Sequence, residues 1–283
     1  MEASMKDIQS QRDDRGLPVD MVGVAAIRYP ITVKDKLRGT QETVAAVGMA
    51  VELLPEFKGT HMSRFIEILN RFRGEITMAN IPDILKETRE NLGSPKAMMS
   101  LEFPYFIEKK SPVSEARSLF PIEILFDGYG DEQGTSFILG VRVPVTTLCP
   151  CSQEISEFGA HNQRSYITAY LSFDHFIWIE DIVDRLEDCA SSEIYPLLKR
   201  PDEKYVTEKA FTRPRFAEDI VRGAAELLLA EPDIHWFMAE AVNLESIHAH
   251  NAYARIEWFR EKRPLLAAHL QVFKGFRQRT GTY

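Results

Sequence analysis

Apolar residues along the chain follow two rhythms, a period of two and a helical period, and these come in an ordered series. "MVGVAAIRYPITV" and "TQETVAAVGMAVELL" are apolar and rich in β-branched residues, which predicts the two strands of a hairpin. In "THMSRFIEILNRF" the residues Phe65, Ile68, Leu69 and Phe72 share one helical face. "NIPDILKETRENLG" predicts a second helix, with Pro82 suited to a first turn and Gly93 to a stop. "AMMSLEFPYFIEKK" and "RSLFPIEILFDGYG" return to strand. The later half repeats the order: "TSFILGVRVPVTTL" and "RSYITAYLSFDHFIWI" are strand-like, and "IEDIVDRLEDCAS" and "PRFAEDIVRGAAELLLA" are amphipathic helices. "WFMAEAVNLESIHAHNAYARIEWF" predicts one or two strands. Arg28-Tyr29-Pro30-Ile31-Thr32 parallels Arg142-Val143-Pro144-Val145-Thr146, and Leu101-Glu102 parallels Leu244-Glu245. The series predicts an α+β protein made by duplication of a ββααββ unit. A polar arm over residues 1–20 precedes units over 21–134 and 135–283, with antiparallel sheets carrying helices on one face.

Composition narrows the function. With 45% hydrophobic and 27% charged residues among 283, the chain has the balance of a globular protein with a sizeable core. No apolar run approaches the roughly 20 residues that cross a bilayer, and the polar start lacks a signal-peptide core, so a cytoplasmic protein without membrane contact is expected. A net charge of −8 argues against a nucleic-acid partner, since phosphate contacts need clustered Lys and Arg. One local cluster exists, with Lys199, Arg200, Lys204, Lys209, Arg213 and Arg215 close together. It is either a solvated face balanced by Asp202, Glu203 and Glu208 or a site for a small anion. Three cysteines are too few for a disulfide framework, which leaves thiols for metal or chemistry.

"TTLCPCSQEISEFGAHNQRS" concentrates that chemistry. Thiolate, imidazole and carboxylate are the ligands of a borderline-soft divalent ion, and a catalytic site keeps three of them with one position open to water. Cys149 and His161 form the first pair; Zn²⁺, Mn²⁺ or Fe²⁺ would suit this ligand mix. An extended segment would turn Cys149 and Cys151 to one side and Pro150 to the other, leaving Cys151 as a nucleophile, a hydrogen-bonding thiol or a packing residue. "NLESIHAHNAYARIEW" supplies acid–base candidates in Glu245, His248 and His250. Strand alternation would set the two histidines on the face opposite Glu245, so that convergence needs a bulge. Cys189, alone in "RLEDCAS", belongs to the core.

Together, "CPCSQEISEFGAHNQRS" and "NLESIHAHNAYARIEW", with "GTHMSRFIEILN" and "RPDEKYVTE", resemble GTP cyclohydrolase I of the type IB, prokaryotic class, over nearly the whole chain. The resemblance implies the tunnelling fold, with two ββααββ units per chain and a homotetramer with active sites at subunit interfaces. It also implies conversion of GTP to 7,8-dihydroneopterin triphosphate and formate, the entry to folate and to 7-deazaguanine (queuosine) synthesis. In the reaction the resemblance implies, a divalent ion would activate the water that attacks C8 of the purine, after which the imidazole ring would open, formate would leave and the ribose would rearrange before reclosure. By motif, Cys149, His161 and Glu203 match the metal ligands, Cys151 the free active-site cysteine, and Glu245 with His248 the acid–base pair. Glu218 matches the anchor of the guanine edge. Lys204 and Arg213 would hold triphosphate, and His61 and Arg64 would contribute from a neighbouring subunit. Two rival readings remain at this point: a nitrile reductase of the same fold acting on a 7-deazapurine, and a non-catalytic metal- or purine-binding scaffold.

Overall fold

The computed structural model of the protein describes residues 9, 11–72 and 76–280, with the backbone alone over 274–280. Residues 1–8 and 10 of the expected polar arm lie outside the described residues. Further along it, Arg12 bridges Phe57 and the Asp13 amide donates to the Glu56 carbonyl.

The first series of patterns folds as β1 (Val19–Asp35), β2 (Gly39–Leu53), α1 (Met62–Arg71), α2 (Ile81–Leu92), β3 (Ala97–Lys110) and β4 (Arg117–Asp131). The helical face expected in α1 is the buried one, with Phe65, Ile68 and Leu69 fully covered. Helix α2 carries Pro82 in its first turn and ends at Gly93, whose left-handed φ of 61° carries no steric penalty in the absence of a Cβ.

The second series is more elaborate. It runs β5 (Gly134–Leu148), α3 (Pro150–Ile155), β6 (Asn162–Phe173), α4 (Ile179–Asp188), β7 (Ser192–Glu193), α5 (Arg200–Thr212), α6 (Ala217–Leu229), β8 (Ile234–Asn243), β9 (Ala252–Phe259) and α7 (Pro264–Thr280). The expectation of a tunnelling fold with two tandem ββααββ units is therefore corrected. The strands form one nine-stranded sheet in the hydrogen-bonded order β1-β2-β3-β4-β5-β6-β8-β9, with β7 paired to β5. Helices α3, α5 and α7 and strand β7 have no place in a simple repeat. Their patterns were hard to read for a physical reason: α3 spans six residues, and α5 buries only Asp202 and Ala210, so it shows no apolar stripe.

Helices are not confined to one face either. A Cβ at Gly128 of β4 would meet Ile81 and Leu85 of α2, whereas the next residue, Tyr129, stacks on His269 of α7 (5.7 Å between ring centroids). Neighbouring strand residues point to opposite faces, so α2 and α7 cover opposite sides of β4.

By contacts the chain divides into two compact units. The first comprises the described parts of Met1–Phe103, Leu125–Phe137 and Lys262–Tyr283. The second comprises Pro104–Ile124 and Ile138–Glu261. In the second unit Ile182, Val183 and Leu186 of α4 and Ile220, Val221, Ala224 and Leu228 of α6 are buried, as is Trp236 of β8. Each buried Ile, Val or Leu side chain among these contributes roughly 1.5–3 kcal/mol on burial. Among the described residues no helix is long and apolar enough to cross a membrane.

Candidate functional site

The β5–β6 ladder sets the first two candidate ligands side by side. Its register runs from Leu139↔Leu171 to Leu148↔Asn162, and one step further the Cys149 amide donates to the His161 carbonyl (3.1 Å). Residues opposed in this way project to the same side of an antiparallel pair, with Cβ atoms about 5 Å apart. The eleven-residue interruption in sequence is thus a detour from a ladder that brings its two ends back together.

That detour begins with a helix, which corrects the extended geometry expected around Cys149. Pro150 has no N–H to lose at a first helical position, and Cys149 becomes the N-cap of α3, its sulfur accepting from the Ser152 amide (3.5 Å). The Ser152 hydroxyl donates to the Cys149 carbonyl (3.2 Å) and accepts from the His161 amide (3.2 Å), tying both ends of the detour to one residue. Cys149 is half-buried, whereas Cys151, in the first turn of α3, is exposed. Cys189 is buried as expected, and burial pushes its thiol pKa up to about 11.

The acid–base candidates occupy residues 244–251, a loop between β8 and β9 and not a strand, so the alternation argument does not apply to them. The loop leans on the metal candidates: the Leu244 amide donates to the Arg164 carbonyl (2.9 Å), and Ser246 Oγ lies 3.1 Å from His161 Nδ1. With Nδ1 so engaged, Nε2 is the ring nitrogen left for an ion. Glu245 is half-buried; His248 and His250 are exposed with their rings stacked (5.2 Å, 13°).

Helices α5 and α6 carry the other candidates. Glu203 is exposed on α5, one residue after the fully buried Asp202. Burial alone would raise the Asp202 pKa, but hydrogen bonds from Ser114, Lys199 and Val113 outweigh it and hold the carboxyl well below its ordinary range. Glu218 is exposed in the first turn of α6. The far end of α5 meets the cysteine segment, where Gln153 Nε2 donates to the Phe211 carbonyl (2.7 Å) and the Arg215 amide to the Leu148 carbonyl (3.0 Å).

Much of the basic cluster is engaged by the protein itself. Lys209 pairs with Glu193 (2.5 Å), Arg213 donates to the Asp188 carbonyl (2.6 Å), and the exposed Lys204 lies 3.7 Å from Glu208. His61 and Arg64 belong to the other compact unit, His61 as the N-cap of α1 and Arg64 donating to the Asn91 carbonyl (2.7 Å). Among the described residues no three His, Cys, Asp or Glu side chains gather into a group able to hold a metal ion. The Cys149–His161 pair fits the beginning of such a site by position and donor chemistry, and Glu203 is not drawn in beside it.

Comparison with known proteins decides the family. A family model described as type I GTP cyclohydrolase folE2 matches residues 5–254. The chain belongs to that family. Relatives named GTP cyclohydrolase FolE2 include one from Geobacter sulfurreducens, 53% identical over 258 residues that cover 91% of this chain and 100% of that protein. Another, from Syntrophotalea carbinolica, is 52% identical over 254 residues, covering 90% of this chain and 95% of that protein. The segment matched to the FolE2 family contains every candidate residue above and stops short of α7. In fold alone the chain resembles a hyperthermostable mutant of Bacillus sp. TB-90 urate oxidase, with a TM-score of 0.50 and 10% identity, covering 87% of this chain and 100% of that one.

Proposed function

We infer that this FolE2-family protein converts GTP and water to 7,8-dihydroneopterin triphosphate and formate, the first committed chemistry of folate synthesis and a source of precursor for 7-deazaguanine. The family match over residues 5–254 carries the reading. The test is incubation of the purified protein with GTP and Mn²⁺ or Zn²⁺, followed by assay of formate and of the fluorescent pterin formed on oxidation. Absence of both products overturns it.

Cys149, His161 and Glu203 are proposed to hold a divalent ion, Zn²⁺, Mn²⁺ or Fe²⁺. Support comes from the opposed placement of the first two and from the sulfur–nitrogen–oxygen donor set. A bound ion supplies Lewis acidity that makes water nucleophilic near neutral pH. The protein's own groups do the rest. The Glu218 carboxylate can accept two hydrogen bonds from N1–H and the 2-amino group of guanine, which orients the purine. Glu245 and His248, on the loop that touches His161 through Ser246, move protons as the imidazole ring opens and the ribose rearranges. The exposed Cys151 thiol donates to or accepts from the reacting formyl group. Lys204 and Arg213 stand on and after α5 as partners for triphosphate, with His61 and Arg64 supplied by another subunit.

A homotetramer is proposed on the strength of the apolar side chains around these residues. Phe158 is 96% exposed, Ile155 at the end of α3 84% and Ile247 63%, all on the two segments that carry the candidate chemistry. A cytoplasmic location is proposed because Cys149, Cys151 and Cys189 are free thiols, which a reducing compartment preserves.

A further inference from the structure

One face of β1–β3 is hollowed by small residues. Gly23 pairs with Ala50, Ala50 with Met98, and Gly48 with Ser100, so these positions share one side of the three strands. Gly23 and Gly48 contribute no side chain and Ala50 only a methyl group. A Cβ at position 23 would fall 1.9 Å from the Met49 carbonyl oxygen, so nothing larger fits there. Beside them β1 bulges: its register slips between Val24 and Ile27, and Ala26 takes a left-handed φ of 56°, which an L residue adopts only against steric resistance. Helix α7 closes over the hollow with Val272 and Phe273, leaving a cavity of about 180 Å³.

Helix α7 is held there by Leu266, Leu270 and Phe273, all buried, and by His269, which is 1% exposed. His269 Nδ1 lies 3.0 Å from Ser136 Oγ and Nε2 2.7 Å from Asp127 Oδ1. A neutral imidazole satisfies both contacts, accepting from the Ser136 hydroxyl and donating from Nε2–H to the carboxylate. The charge of Asp127 is then not neutralised by its partner, and among the described residues its Oδ2 accepts no hydrogen bond. Asp127, with a side chain 13% exposed, lines the cavity and is the one ionisable residue to do so among the described residues. The only other polar side chain of the lining is Ser100; the rest is apolar and includes Met21, Met98 and Phe273.

We propose that this cavity is a binding site for a small aromatic amine, its ring between β1–β3 and α7 and its ammonium group on Asp127. An apolar cavity of about 150 Å³ takes up benzene, so the space here suits one such ring with a short arm. Methionine side chains adapt to the outline of a ring and make favourable sulfur–aromatic contacts. A carboxylate with a free oxygen in apolar surroundings selects a cation over an uncharged molecule of the same shape, because the hydrogen bond it accepts is charge-assisted. All these residues lie in the first compact unit, and none takes part in the GTP chemistry proposed above. One wall, α7, lies beyond the segment matched to the family.

The test is methyl NMR of the full chain carrying isotope-labelled methionine, titrated at neutral pH with benzylamine and, separately, with benzyl alcohol, its uncharged counterpart of the same shape. Met21→Leu and Met98→Leu identify the two signals that report on the cavity. Benzylamine is expected to shift both signals saturably, with an affinity at least about tenfold above that of the alcohol, the difference one charge-assisted hydrogen bond makes. Asp127→Asn, whose Oδ1 can still accept from His269, should bind benzylamine at least about tenfold more weakly than wild type. Absence of a saturable shift at Met21 and Met98 overturns the site. Equal affinity for amine and alcohol, or wild-type affinity in Asp127→Asn, overturns the role of Asp127 and the ligand class with it. Should Asp127→Asn fail to fold, the comparison of amine with alcohol on the wild type decides: a preference for the amine supports the proposal and equal affinity overturns it.

Discussion

At the scale of single residues the two cysteines of "CPC" stand in different environments. Cys149 is half-buried, capped by the Ser152 amide and opposed to His161 across the end of a ladder; Cys151 is exposed on the first helical turn. Cys149→Ala is accordingly expected to lose bound metal and all turnover while circular dichroism stays native. Cys151→Ala should keep stoichiometric metal and lose rate; metal analysis beside formate release separates the two, and full turnover by the Cys149 variant sinks the assignment. Glu218→Gln keeps the shape of the side chain but turns one acceptor into a donor facing guanine's own donors. Its KM for GTP should rise at least about tenfold, the cost of roughly one charge-assisted hydrogen bond; an unchanged KM counts against the anchor. The thiol–imidazole pair was legible in the sequence because few other roles call for those residue types so close together. Ser246, which orients His161, was not, since a serine in a polar loop carries no signal until the loop is seen to fold back.

At the scale of elements, spacing predicted α1 and α2 well because each has an apolar face to bury. It failed around Cys149 and over 244–251, where local hydrogen bonds and loop closure replace period-two alternation. Helix α5 leaves no apolar period in the sequence for the same reason, its anchors being a carboxylate, an ion pair and a carbonyl. Strand β3 and helix α4 are joined by another polar contact that patterning does not reveal. Lys109 Nζ bonds Glu187 and the Ile194 carbonyl (2.6 Å) and lies over the Tyr195 ring (4.8 Å). Burial raises the Glu187 pKa to about 7 from an ordinary 4.5, against the opposing pull of Lys109. A carboxyl whose folded pKa is raised contributes stability that is complete below the unfolded value and is lost as pH rises through the folded value. Melting curves of wild type and Glu187→Gln should therefore shift in favour of the variant as pH climbs from 4.5 through 7. A difference that does not change with pH rules this out.

At the scale of the whole molecule, the exposed Phe158, Ile155 and Ile247 are costly to leave in water and sit beside the residues proposed to react. Phe158→Asp is expected to lower the oligomeric state seen by sedimentation and to reduce turnover, with the subunit's circular dichroism unchanged; a variant that stays assembled and fully active refutes the interface. The sequence by itself determined the helices with apolar stripes, most of the long strands, the family and the chemical types gathered in two motifs, because these depend on local composition and spacing. Only the tertiary structure decided that nine strands share one sheet in place of two repeats, that α2 and α7 lie on opposite sides of β4, and that Cys149 meets His161 while Glu203 rides on a separately anchored helix. Those outcomes are set by hydrogen bonds and packing between residues far apart in the chain, which no local period encodes.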